Sequence, residues 1–309
     1  FRQEETCIVN AEGKSTFGYE YISILEKKTH KGNVTVETEC SFEKFGAPIV
    51  VYGGNLTDDQ KKSVRESLKI TDKSDVQEIV VTGKDLATYL KDGDASARMF
   101  SSAKITRKDS GSGLVINIVT PDDITEVTAD MYANAMLTAG IEDAVVDIAA
   151  PKPVTGHSAL VGIYKAYEVT GGELDPERTD VANEELSVAT ILSKDAGVNE
   201  EEVTELLTEI KKQIAEQNPA SREEVEKIVS EQLSKLKIEL SDKDRQLLID
   251  LMDRIRQLDI DFSKWSDQLN DFSKTIEEKF NQIKDNEGFW QSVKDFFNNL
   301  IDSIRSVFS

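Results

Sequence analysis

The chain has 309 residues, 58 of them acidic and 37 basic, for a formal charge of -21 at pH 7. That length permits two domains, or one domain with a long extension, each able to bury a real core. The acidity repels phosphate backbones and anionic headgroups, so nucleic acid is not an expected partner, and no apolar run reaches the eighteen residues of a membrane-spanning helix.

The amino terminus lacks the charged, apolar and small-residue sections of a signal peptide, so an exported protein would be read here in its mature form. Residues 1–45 alternate in strand fashion through STFGYEYISIL and NVTVETECSF, with glycine turns at NAEGK and HKGN, which predicts a small β meander. Its strand-like runs carry Cys7 and Cys40, the two cysteines of the chain. Because both fall in the same small unit, a Cys7–Cys40 disulfide formed in an oxidising compartment is expected, the alternative being two free thiols in a reduced cytosol.

Residues 46–172 read as a mixed α/β domain. APIVVYGG predicts a strand, and Thr57 with Gln60 forms a capping box ahead of helical spacing in the next run. VQEIVVTG and KDLATYL repeat strand and helix. FSSAKITR and LVINIVTP alternate on either side of Gly111-Ser112-Gly113, a hairpin signature. VTADMYANAMLTAG predicts a helix closed by Gly140 at its C′ position, and DAVVDIAAP a further strand. The run from His157 to Tyr167 predicts a helix with Leu160, Ile163, Tyr164 and Tyr167 on one face.

Beyond Gly171-Gly172, residues 173–309 read as a helical region with no further strand. Leu248, Leu251, Met252 and Ile255 form one stripe, and Phe262, Trp265, Leu269, Phe272 and Ile276 another. After a break at Asn286-Glu287-Gly288, the last helix carries Phe289, Trp290, Phe296, Phe297, Ile301 and Phe308. This apolar face is wider than one partner helix covers, so packing in the bundle, an envelope protein partner and peripheral membrane contact are its three readings. The fold class expected is α+β: an amino-terminal β meander, a central α/β domain and a carboxyl-terminal helical bundle.

Candidate chemistry is sparse. Gly156-His157-Ser158 begins like a hydrolase elbow, but Leu160 stands where the second glycine belongs, and both histidines, His30 and His157, precede the serine. Thr155 or Ser158 is instead expected to cap the helix. Ser101-Ser102-Ala103-Lys104 matches S-x-x-K on a strand rather than a helix start, without its companion motifs. The cysteines and histidines lack metal-site spacing, and Asp92-Gly93-Asp94 and Asp259-Ile260-Asp261 do not fit an EF-hand loop, so neither metal nor cofactor is expected. One pattern recurs: Thr82-Gly83-Lys84 and Thr155-Gly156-His157-Ser158 each join a strand to a helix. Helix starts on one sheet edge could share a ligand cup built on free N–H groups.

The run IVTPDDITEVTADMYANAMLTAGIEDAVVDIAAPKPVTGHSALVGIYKAYE, with GGNLTDDQKKSVRESL before it and VANEEL after it, resembles the YpuA-like secreted proteins of Firmicutes, domain of unknown function 1002. The resemblance runs from about Gly46 to the carboxyl terminus. It implies export and a location outside the cytoplasmic membrane, and it supplies no catalytic residues. The first 45 residues depart from the family pattern and read as an added module. The functional expectation is a secreted or envelope-associated, non-enzymatic binding protein; the alternatives are an envelope hydrolase using carboxylates and a self-associating structural protein.

Overall fold

The computed structural model describes residues 28–30, 33–35, 47–196, 198–262 and 264–272. Cys7, Cys40 and the aromatic face from Phe289 to Phe308 lie outside the described residues. Within the amino-terminal segment, β1 (Lys28–His30) pairs antiparallel with β2 (Asn33–Thr35), and His30 stands opposite Asn33, on either side of the HKGN turn signal.

The main sheet has five strands: β3 (Ile49–Gly53), β4 (Gln77–Val81), β5 (Ser102–Arg107), β6 (Leu114–Ile118) and β7 (Ala144–Ala149), in the order β4-β3-β5-β7-β6. β3 and β4 are parallel, as are β6 and β7, while β5 runs antiparallel to both its neighbours. Here the structure corrects the sequence reading, because β5 and β6 are not a hairpin. Gly111 and Gly113, at φ +85° and +72°, do reverse the chain, but β7 lies between the two strands. The cause is burial. β7 packs Ala144, Val146 and Ile148 completely and takes an inner position, whereas β6 exposes alternate residues and fits an edge.

Local signals explain the helices of this unit. In α1 (Asp58–Ser67) the Thr57 N–H donates to Gln60 Oε1 at 3.1 Å, and Thr57 Oγ1 accepts from the Gln60 N–H at 3.3 Å, completing the capping box. The short α2 (Gly83–Tyr89) follows β4, and α3 (Ala129–Ala139) ends at Gly140 in the left-handed conformation that residue permits. α4 (His157–Val169) packs across β3, β5 and β4 with Leu160, Ile163 and Tyr164 fully buried. α1 covers part of the opposite face, with Val64 and Leu68 against Val50 and Tyr52.

From Pro176 on, the described residues hold no strand. α5 (Pro176–Asp195), α6 (Glu200–Gln217), α7 (Arg222–Leu236) and α8 (Asp242–Gln257) follow, with residues 264–272 helical as well. The expected stripe is the packed one: Leu248, Leu251, Met252 and Ile255 are buried, as are Trp265 and Leu269. α5 lies on α3, so a single apolar core runs from Ile49 on the sheet to Leu269 in the helices. At about 25 cal/mol per Å² of apolar surface removed from water, such burial is the main stabilising term.

Candidate functional site

The parallel strands β3, β4 and β7 deliver their carboxyl ends to one edge of the sheet, and β5 starts there, with Ser102 opposite Ala149. Both Thr-Gly junctions lie on that edge. They differ in what fills them.

At the first junction the chain uses its own groups. The Asp85 carboxylate accepts from the Thr82 N–H at 2.7 Å and its hydroxyl at 2.8 Å, and pairs with Lys165 at 2.7 Å. Partial burial opposes ionisation, yet the bonds from Lys165 and Thr82 prevail and hold the Asp85 carboxyl below its ordinary value. Gly83 is needed for close approach, since a Cβ there would lie 2.4 Å from the Ala95 carbonyl oxygen. The start of α2 is therefore covered by the loop ahead of β5, and Lys84 points to solvent.

The second junction is built differently. Val154 bonds to the segment after β6, donating to Asp123 O and accepting from the Thr125 N–H, each at 2.9 Å. Gly156 is the N-cap of α4 at φ +103°, and its carbonyl accepts from Ala159 N at 2.9 Å and from the Tyr132 hydroxyl at 2.6 Å. This corrects the capping expectation: neither Thr155 nor Ser158 caps, because a left-handed glycine occupies the cap and contributes no side chain. Thr155 is thereby left exposed, with His157 and Ser158 half-buried. His157 Nε2 lies 3.5 Å from Thr190 Oγ1. Burial lowers the His157 pKa; Glu126 opposes that shift and Lys194 adds to it, so the ring is neutral at pH 7.

Beside this junction opens a cleft of about 810 Å³. Leu86 of α2 and Leu90 just after it, Met99 and Phe100 ahead of β5, and Val154 supply its apolar wall. Thr155, His157 and Ser158 stand on it, with Asn183 and Ser187 of α5 opposite. The far wall is pinned by an ion triad: Arg254 of α8 reaches Asp180 at 2.8 Å and also pairs with Glu184, while Asp180 accepts from the Lys91 N–H at 2.9 Å. Arg98 lines the cleft with its guanidinium 5.8 Å from the Phe100 ring centroid, and Lys152, outside the lining, holds its Nζ 3.7 Å from the same centroid.

Of the residues expected to share a cup, Thr155, His157 and Ser158 line the cleft, whereas Thr82, Gly83, Lys84 and Gly156 do not, and Leu86 of α2 with Leu90 just after it lies there instead. Sequence reasoning missed the loop from Ala97 to Phe100 and the α5 and α8 walls. A signal existed for α5, where Asp180, Asn183, Glu184 and Ser187 follow i, i+3, i+4, i+7 spacing on a helix otherwise packed with apolar residues. Among the described residues no three acidic, histidine or cysteine side chains are grouped to hold a metal ion, and no helix is long and apolar enough to cross a membrane.

The family described as "Protein of unknown function (DUF1002)" matches residues 52–272. The Bacillus subtilis (strain 168) protein whose name is "Uncharacterized protein YpuA" is 34% identical over 269 residues, covering 85% of this chain and 90% of that protein. No solved structure matches the chain.

Proposed function

The chain belongs to the DUF1002 family, and we propose that it is a secreted or cell-envelope-associated binding protein that holds a small ligand in the cleft without turning it over. The observation that carries this reading is the cleft itself. It has the size of a small-molecule site, an apolar wall with a few convergent polar groups, and the position at the carboxyl edge of parallel strands where α/β sheets bind ligands. Asp180 and Glu184 are tied to Arg254, which suits a fixed wall better than an acid–base pair. Export rests on the resemblance to secreted relatives and on the acidity, and Cys7 with Cys40 is read as a disulfide of that compartment, to be checked by thiol titration of the unfolded, unreduced chain.

The test is thermal unfolding of the full chain with a low-molecular-weight extract of cell envelopes. A ligand present at 100 times its Kd stabilises the native state by about 2.7 kcal/mol. The stabilisation should vanish in Ser187→Trp, which projects an indole into the cleft. An extract that stabilised this variant and the parent equally would place the ligand elsewhere.

A further inference from the structure

We propose that the ligand of this cleft is a soluble amphipathic anion, its apolar body against Leu86, Leu90, Met99 and Val154 and its carboxylate, phosphate or sulfonate group at Arg98 and Lys152. This inference rests on the cleft reading and adds the chemical class. The lining carries the carboxylates of Asp92, Asp180 and Glu184 and the cations of Arg98 and Arg254. On the α5 and α8 side the one cation, Arg254, is committed to Asp180 and Glu184. Arg98 of the lining and Lys152 just outside it converge on the Phe100 ring, with Lys152 Nζ at 3.7 Å and Arg98 at 5.8 Å from its centroid. Both side chains are exposed, and neither has a carboxylate within 4 Å among the described residues. In a chain with 58 acidic residues against 37 basic ones, carboxylates are available to neutralise such a pair, and among the described residues none does.

Chemistry favours an anion at this rim. The face of an aromatic ring attracts cations and restrains where Lys152 and Arg98 sit. Two like charges gathered on one ring repel each other, and a bound anion turns that repulsion into two charge-assisted contacts. The same ring and the adjoining leucines take an apolar body. A polycation would meet the rim with like charge, and a wholly polar solute would leave the apolar wall wet.

The test uses two probes on the full chain: 8-anilinonaphthalene-1-sulfonate, and N-phenyl-1-naphthylamine, the same aromatic body without the sulfonate. Fluorescence titration should show the sulfonate binding about tenfold more tightly, against the repulsion of a net charge of -21. Arg98→Gln/Lys152→Gln, both at exposed positions, should erase that preference and leave the neutral probe unchanged, and Ser187→Trp should weaken both. Added salt should reduce the sulfonate's advantage, because the contacts face solvent. Equal affinities in the parent, or a sulfonate preference that survives the double variant, would overturn the anion assignment while leaving an apolar cleft. Unchanged binding of both probes in Ser187→Trp would remove the cleft reading and the anion assignment with it.

Discussion

Replacing Lys211 by methionine tests the reasoning about the core, because this lysine is the most deeply buried charge among the described residues. Its side chain is 0% exposed and that of its partner Glu185 1%. Lys211 Nζ donates to Glu185 Oε1 at 2.7 Å, to Asn134 O at 3.0 Å and to Thr138 Oγ1 at 3.1 Å, and lies 5.6 Å from the Trp265 ring centroid. Burial pulls the Lys211 pKa down and the Glu185 carboxylate opposes that pull. Lys211→Met strands the Glu185 carboxylate in a dry site where Thr138 is the remaining donor. Removing one partner of a buried pair costs about 3–5 kcal/mol, a large part of the roughly 5–15 kcal/mol that holds a native protein together. At about 2–4 °C per kcal/mol the melting temperature should fall by on the order of 10 °C. The assay is urea unfolding followed by circular dichroism at pH 7. Lys211→Met/Glu185→Met should recover most of the loss, since an apolar replacement of the whole pair leaves no bare charge. A cost below about 1 kcal/mol would refute the account.

Three further outcomes follow from the site and the chain end. His157 is held neutral by burial, so the unfolded state takes up the proton first as the pH falls through about 6.5. Stability should therefore decline on acidification from that point, and His157→Gln should flatten the decline in unfolding titrations between pH 7 and 5. Gly156→Ala must place a Cβ at φ +103°, 2.7 Å from the Tyr132 hydroxyl and 2.9 Å from Ile124 Cγ2. A loss of about 1–3 kcal/mol from backbone strain alone is expected, read by thermal unfolding, together with a weaker response to envelope extract. For the aromatic face from Phe289 to Phe308, the full chain and a truncation ending at Asp285 should be partitioned against isolated cell envelopes across salt. Sedimentation of the full chain alone, resistant to salt, is the result expected of an anchor, and identical behaviour of both chains would assign that face to the bundle.

Much of the fold was legible because its signals are local. The Thr57–Gln60 box, the left-handed Gly140 and the α8 stripe each act within a few residues, and each marks a real element. Strand order was not legible, because the two glycines that reverse the chain after β5 say nothing about β7, whose insertion depends on burial thirty residues further on. The two Thr-Gly junctions show the same limit at the site. They look alike in sequence, but Asp85 and the Ala95 carbonyl fill one, while the other opens on a cleft whose walls come from α2, the loop ahead of β5, α5 and α8. Arg254 reaches α5 from 70 residues further along the chain, and no periodicity encodes that meeting.

Hydrogen exchange of the full chain with and without envelope extract is the most direct measurement of the central claim. The account predicts slowed exchange of backbone amides over 86–100, 154–158 and 180–187, the segments that wall the cleft. Stabilisation by the extract with exchange in all three segments unchanged would contradict it.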